Sequence, residues 1–262
     1  MRAPVDTIVA PLFPRGLPWL NAPAAGEVSV IQRGNPLLVE FWDFCRPHSI
    51  RTLPYVKAWH ERYAQAGLRI VTVHSPGFEI SRDADAVRAA VARLQIAHPV
   101  LIDMDFQLWQ EYENEGWPAR YLFDGRARLF DYHYGEGAYE ETELAIQELL
   151  GVQREPLAPL RAEDAPGASL ARPTPDREGL HAGPYEAGGV WLVLSGTGDI
   201  EVRSPQARRL RIEGPGAYAL VEHESHTHAE LDVQLGDGVE CHATCFTPGL
   251  LQPPSVPSRR SP

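Results

Sequence analysis

The sequence predicts an α/β domain followed by a small all-β domain. Three observations carry this. Up to about residue 150, apolar runs of strand length alternate with segments whose apolar residues recur at helical spacing. From about Gly179, six short, mostly alternating runs are separated by Gly-rich turns. Between them lie residues 151–178, rich in Pro and Ala, charged and without period, which read as a linker over the surface or partly disordered. The expected division is residues 1–150, a linker over 151–178, a β-sandwich over 179–248 and a flexible tail over 249–262.

The chain has 262 residues, comfortable for two domains. A net charge of -11 and a pI near 5.4 argue against nucleic acid or an anionic membrane as main partner. No apolar run approaches the roughly 18 residues of a membrane span. The N-terminus is broken by prolines and lacks the apolar core of a secretory signal. Three cysteines are too few for a disulfide framework and fit a reducing compartment, so a cytoplasmic location is expected. No Walker loop, GxGxxG fingerprint or GxSxG elbow occurs, and no cofactor is expected.

Leu37 to Trp42 is apolar on both faces apart from Glu40, as in the centre of a covered sheet. A helix is expected from Arg46 to Gln65, with Ile50, Leu53, Val56, Trp59 and Tyr63 as its buried stripe, Pro54 as a kink and Gly67 at its end. Leu68 to His74 is the next strand. Asp83 caps an amphipathic helix to Leu94. Pro99 to Ile102 is a third strand, and Asp105 caps a short helix from Phe106 to Glu113. Ala119 to Phe123, a turn at Asp124-Gly125 and Leu129 to Tyr134 form a hairpin. A helix from Tyr139 to Leu150 closes the domain.

The stretch LLVEFWDFCRPHSIRTLP, residues 37–54, resembles the active-site segment of the thioredoxin superfamily. The IRTLPYV within and after it is especially similar to redoxin domains of TlpA and DipZ type, and the resemblance covers about residues 18–150. It implies a thioredoxin-like fold with a central mixed sheet flanked by helices. It also implies that Pro18-Trp19-Leu20-Asn21 leads into the sheet, as a short hairpin or an irregular arm, and that Trp117-Pro118 is cis and faces the active-site turn. In that family the nucleophilic cysteine lies six residues after a buried acid, and the second cysteine lies five before a kinking proline. Counting from Glu40 reaches Arg46, and counting back from Pro54 reaches Ser49. The CxxC positions then read Arg46-Pro47-His48-Ser49, and Cys45 falls one residue early. A one-residue shift reads Cys45-Arg46-Pro47-His48 as a CxxH variant instead. Either way the motif holds no second cysteine.

The candidate groups follow. Cys45 is a monothiol activated by the helix start, Arg46 and His48, or a buried small residue. The T-x-x-C pattern of peroxiredoxins is missing, since Trp42 stands at the threonine position. Arg46, Pro47, His48 and Ser49 with Trp117 and Pro118 outline a binding groove. Glu40 matches the family's buried acid, with its pKa raised by burial.

In the C-terminal part, His223, His226, His228, Cys241, His242 and Cys245 invite a metal reading. Cys241, Ala243 and Cys245 alternate along a strand and would share one core face with Val239. The two cysteines would lie roughly 13 Å apart, too far for a disulfide. The histidines read as solvated in a polar turn, so no metal is assigned. The DipZ-like relatives carry a small β-domain similar to carbohydrate-binding modules, which this part resembles in position and in GPGAYALVEH; Tyr185, Trp191 and Tyr218 are its stacking candidates or core. Two functions stand. The first is a diverged thioredoxin-fold protein that binds a peptide or protein partner in the old groove. The second is a monothiol oxidoreductase acting through Cys45 with an external thiol.

Overall fold

The computed structural model describes residues 1–3, 7–22 and 34–251. The tail expected over 249–262 lies outside them from residue 252 onward. The first sheet has six strands: β1 (Trp19–Leu20), β2 (Leu37–Trp42), β3 (Arg69–His74), β4 (Val100–Ile102), β5 (Ala119–Phe123) and β6 (Leu129–Tyr134). Their order is β1-β4-β3-β2-β5-β6. The pairs β2/β3 and β3/β4 are parallel, and the others are antiparallel. The sheet is therefore mixed. Among the described residues Trp19-Leu20 is a two-residue edge strand on β4 and not a hairpin.

Every residue of β2 is buried, because both faces of the sheet are covered. Leu37, Val39 and Phe41 join one core with Val71, Val73, Leu101, Tyr112 and Tyr121. Leu38, on the opposite face, packs with Tyr55, Val56, Trp59 and Tyr63 of α1 (Pro47–Tyr63) and with Ala145 and Ile146 of α4 (Tyr139–Leu150). Each such side chain contributes about 1.5–3 kcal/mol through burial. Helix α2 (Ala84–Arg93) begins at Asp83, whose carboxylate accepts from the Asp85 amide. The short α3 (Gln107–Glu111) corrects one expectation. Asp103, not Asp105, holds its first turn, accepting from the Gln107 and Trp109 amides at 2.8 and 2.9 Å. The reason is local: Phe106, at the cap position, takes φ 59°, which turns the chain before the helix begins.

Residues 151–178 are held more firmly than their composition suggests. The Leu157 amide donates to Glu143, and the Leu160 amide to the Tyr55 hydroxyl, which itself donates to Asp164. Arg51, only 4% exposed, bridges Glu136 at 2.8 Å and Glu163 at 2.9 Å. This strap ties the segment to α1. Removing Arg51 leaves two half-sheltered carboxylates without their cation. Arg51→Ala is expected to lower unfolding free energy by about 3 kcal/mol, measured by urea denaturation.

The second sheet is wholly antiparallel: β7 (Arg177–Glu178), β8 (Gly183–Gly196), β9 (Gly198–Ser204), β10 (Arg208–Ile212), β11 (Gly216–Leu235) and β12 (Val239–Thr247), in the order β10-β9-β11-β8-β12-β7. Two runs expected as separate strands, Ala217 to Val221 and Ala229 to Leu235, are one strand, β11. The histidine-rich stretch between them is therefore strand and not turn, with its irregularity absorbed by a register shift between Glu222 and Thr227.

A second shift in β12, between Cys241 and Ala243, overturns the expected common face. Val239 and Cys241 pack with Leu194 in the sheet's own core, whereas Ala243 and Cys245 turn to the other side with Trp191 and Val193. That other side meets the first sheet. Trp42, Phe44, Cys45, Leu53, Val87 and Val91 form one core with Trp191, Val193, Ala243 and Cys245. The Phe44 carbonyl accepts from the Ala217 amide at 3.0 Å, and Arg93 donates to the Pro215 carbonyl at 2.8 Å.

Candidate functional site

Strand β2 ends at Trp42 and the chain turns through residues 43–46 into α1. Asp43, fully buried, organises this turn. Its carboxylate accepts from the Cys45 amide at 2.9 Å, the Gly77 amide at 2.7 Å and the Ser81 hydroxyl at 3.1 Å, and His74 Nε2 lies 3.5 Å away. The Asp43 amide donates to Ser49 Oγ at 3.2 Å. Asp43 and Gly77 carry no motif, and sequence reasoning missed both. The available signal was the position of Asp43 directly after a buried strand.

Arg46 occupies the helix cap with extended backbone (φ -102°, ψ 116°), Pro47 follows at the first helical position, and Ser49 is buried in the first turn. The Arg46 guanidinium is sandwiched, 4.7 Å from the Phe78 ring centroid and 4.9 Å from that of Trp117. Its Nη2 donates to the Gly77 carbonyl at 3.2 Å, while its Nε has no hydrogen-bond partner among the described residues. Gly77 makes this placement possible: a Cβ there would lie 2.6 Å from Arg46 Nε. The Trp117–Pro118 peptide bond is cis, and Trp117 Nε1 donates to the Ser75 carbonyl at 2.9 Å. Trp109 packs on Trp117 with centroids 4.4 Å apart, and Phe106 completes a half-exposed aromatic ridge, with Arg82 over its ring. Phe78, Phe106 and Trp109 were not among the expected groove residues.

His48 leaves this groove. Its Nδ1 lies 3.0 Å from Glu136. Burial works against ionisation of Glu136, but the His48 hydrogen bond and the Arg51 charge outweigh it and hold the carboxyl below its ordinary range. Glu40 is 2% exposed, and burial pushes its pKa up to about 8 against the opposing pull of Arg120, its cross-strand neighbour. Arg120 is itself buried over Trp59 and Tyr139.

Cys45 is fully buried in the core shared by the two sheets. Burial, then the Asp43 carboxylate, push its thiol far above the ordinary range. The partial positive charge of a helix start therefore does not reach a usable thiolate here.

The distal histidines are dispersed. His223 Nε2 meets the Tyr185 hydroxyl at 2.9 Å, His226 and His228 both face Glu186, and His242 meets Ser195 at 2.7 Å. Among the described residues, no group of three or more His, Cys, Asp or Glu side chains is arranged to hold a metal. Tyr185 and Trp191 are buried, and Tyr218 lies under Arg93 with its hydroxyl on the Gly214 carbonyl.

No family model matches the chain. Protein DipZ of Mycobacterium tuberculosis is 30% identical over 163 residues, 60% of this chain and 22% of DipZ. Thiol-disulfide oxidoreductase YkuV of Bacillus subtilis is 28% identical over 132 residues, 50% of this chain and 87% of YkuV. The fold is thioredoxin-like, and the chain is homologous to thiol–disulfide oxidoreductases and to DipZ. The thioredoxin-like chain also matches NHL repeat-containing protein 2 of Bos taurus, at 36% identity over 135 residues, 51% of this chain and 19% of that protein. It spans about a fifth of the length of DipZ and of the NHL repeat protein. Among solved structures, a thiol-disulfide isomerase from Corynebacterium glutamicum superposes with a TM-score of 0.48 at 21% identity, over 57% of this chain and 100% of that one.

Proposed function

We propose that this chain is a diverged thioredoxin-fold protein without dithiol CxxC chemistry, which binds a peptide or protein partner at the part of the old groove where Arg46 meets Trp117 and Pro118; of the expected groove residues, His48 turns to Glu136 and Ser49 is buried beneath the turn. One observation carries the reading. The residue at the helix cap is the half-exposed Arg46, its guanidinium set against the Phe78 and Trp117 rings, while the neighbouring thiol is turned into the core. A planar guanidinium fixed between rings suits a carboxylate, and the ridge of Phe106, Trp109 and Trp117 suits apolar side chains flanking it. The expected ligand is an extended acidic segment.

A heptapeptide display library selected on the whole protein tests this. Acidic sequences should be enriched, and Arg46→Ala should weaken them about tenfold or more by calorimetry, the scale of a charge-assisted hydrogen bond. Selected peptides that bind Arg46→Ala equally well would remove the groove reading.

Descent favours a second reading, a monothiol oxidoreductase acting through Cys45 with an external thiol. The homology to proteins named for thiol–disulfide exchange backs it better than it backs binding. The two part on one measurement. If the first holds, Cys45 stays inert to Ellman's reagent until the chain is denatured. If the second holds, the native protein shows a reactive thiol that Cys45→Ser lacks.

A further inference from the structure

His98 is fully buried, and neither of its ring nitrogens has a hydrogen-bond partner among the described residues. An imidazole buried without partners is tolerated only while it is neutral. It stands in the segment between α2 and β4, and its ring meets the edge of His60 on α1 with centroids 5.7 Å apart. His60 is half-buried, and its Nδ1 also has no partner among the described residues. The charges around the pair are mostly positive. Lys57 of α1 acts on His98, and Arg69 of β3 acts on His60. The carboxylate that opposes them is that of the exposed Glu61, next to His60. From the N-terminal arm the facing group is the uncharged Asn21.

The segment itself is held mostly by side chains. Asn21 Nδ2 donates to the Ile96 carbonyl at 2.7 Å and to the His98 carbonyl at 3.4 Å. Lys57 Nζ donates to the Leu94 carbonyl at 2.9 Å, and the Pro99 carbonyl accepts from the Thr72 amide at 3.0 Å. Asn21 directly follows β1, the two-residue strand that covers the edge of β4. One buried ring and the Asn21 clasp thus secure both the segment and the edge strand.

We propose that His98 is an acid-sensitive latch: when its ring takes up a proton, residues 95–99 swing off α1, the Asn21 clasp lets go and the edge of β4 is uncovered. The latch goes beyond the groove reading and stands or falls separately from it. The sign follows from where the proton can bind. In the closed form burial, then His60 and Lys57, push the His98 pKa down from 6.5 to about 3, whereas a ring turned out into water keeps the ordinary value. Between those values only the open form holds the proton. Closure is therefore fully favoured above about pH 6.5, and each pH unit below that favours opening about tenfold. Glu40 acts on the whole fold and in the opposite sense, since acid favours its folded form. The latch must accordingly be read locally.

Hydrogen–deuterium exchange of the full-length protein, followed by mass spectrometry at about pH 7.5 and about pH 4.5 and corrected for intrinsic amide rates, tests this. Peptides covering residues 94–102 and 19–21 should lose protection together, about a hundredfold, at the lower pH, while those from β2 and β5 keep theirs. His98→Phe, whose ring takes no proton, should show equal protection at both. Constant protection in the wild type, uniform loss across the first sheet, or the same acid loss in His98→Phe would each overturn the proposal. Should that variant fail to fold, the wild-type ring decides by proton NMR. Its signal should titrate only as residues 94–102 open, and a ring that titrates near pH 6.5 in a closed segment would sink the latch.

Discussion

The double substitution Arg46→Cys with Ser49→Cys should turn this chain into a catalyst of insulin reduction by dithiothreitol, with the wild type expected to leave the reaction at the uncatalysed rate. The helix cap and the third residue after it lie one helical turn apart, within the reach of a disulfide. The first new thiol would sit at the half-exposed helix start, where its thiolate is favoured, and the second would replace a buried serine of nearly the same size. His48→Cys is the contrasting variant. It also creates a C-x-x-C spacing, from Cys45, but one of its sulfurs is walled into the shared core. It should stay inactive. Activity from His48→Cys and none from the double variant would show that the active-site window begins at Cys45.

The second large effect is a pH dependence set by Glu40. Unfolded, its carboxyl titrates near 4.5; folded, burial raises that to about 8. Between those values the unfolded chain gives up a proton that the folded one keeps. Stability from this group is therefore fully present below about pH 4.5, falls as pH rises, and levels off above about 8. The integral is at most about 5 kcal/mol. Glu40→Gln imitates the protonated form and leaves Arg120 beside a neutral group. Wild type and variant should unfold at similar urea concentrations near pH 5, and the variant should be the more stable by several kcal/mol near pH 9. A difference that is constant with pH would mean Glu40 is ionised throughout.

How much of this was legible in the sequence differs from residue to residue. The apolar run Leu37 to Trp42 could be read because a strand covered on both sides must be apolar on both sides. Glu40 and Pro54 pointed to Arg46 through the two spacings that the family resemblance implies, and the helix cap does fall at Arg46. Asp103 was passed over in favour of Asp105 because the left-handed turn at Phe106, which reverses the usual capping order, has no glycine to mark it. The split of Cys241 from Cys245 was hidden for a similar reason. One extra residue in a strand inverts every face after it, and alternation read along a single strand cannot see where the partner strand slips. Arg46 was placed in the turn, but Phe78, whose ring packs on it, comes from a loop after β3 that only the fold brings near.

The shared core also has a history in time. Strand β12 is made long after the turn it covers, with 200 residues between Cys45 and Cys245. At ribosomal speeds of about 5–20 residues per second, that is on the order of ten to forty seconds. Throughout that interval the core that holds Cys45 lacks the residues β12 contributes to it, Ala243 and Cys245, so that core is completed only when the last strand emerges.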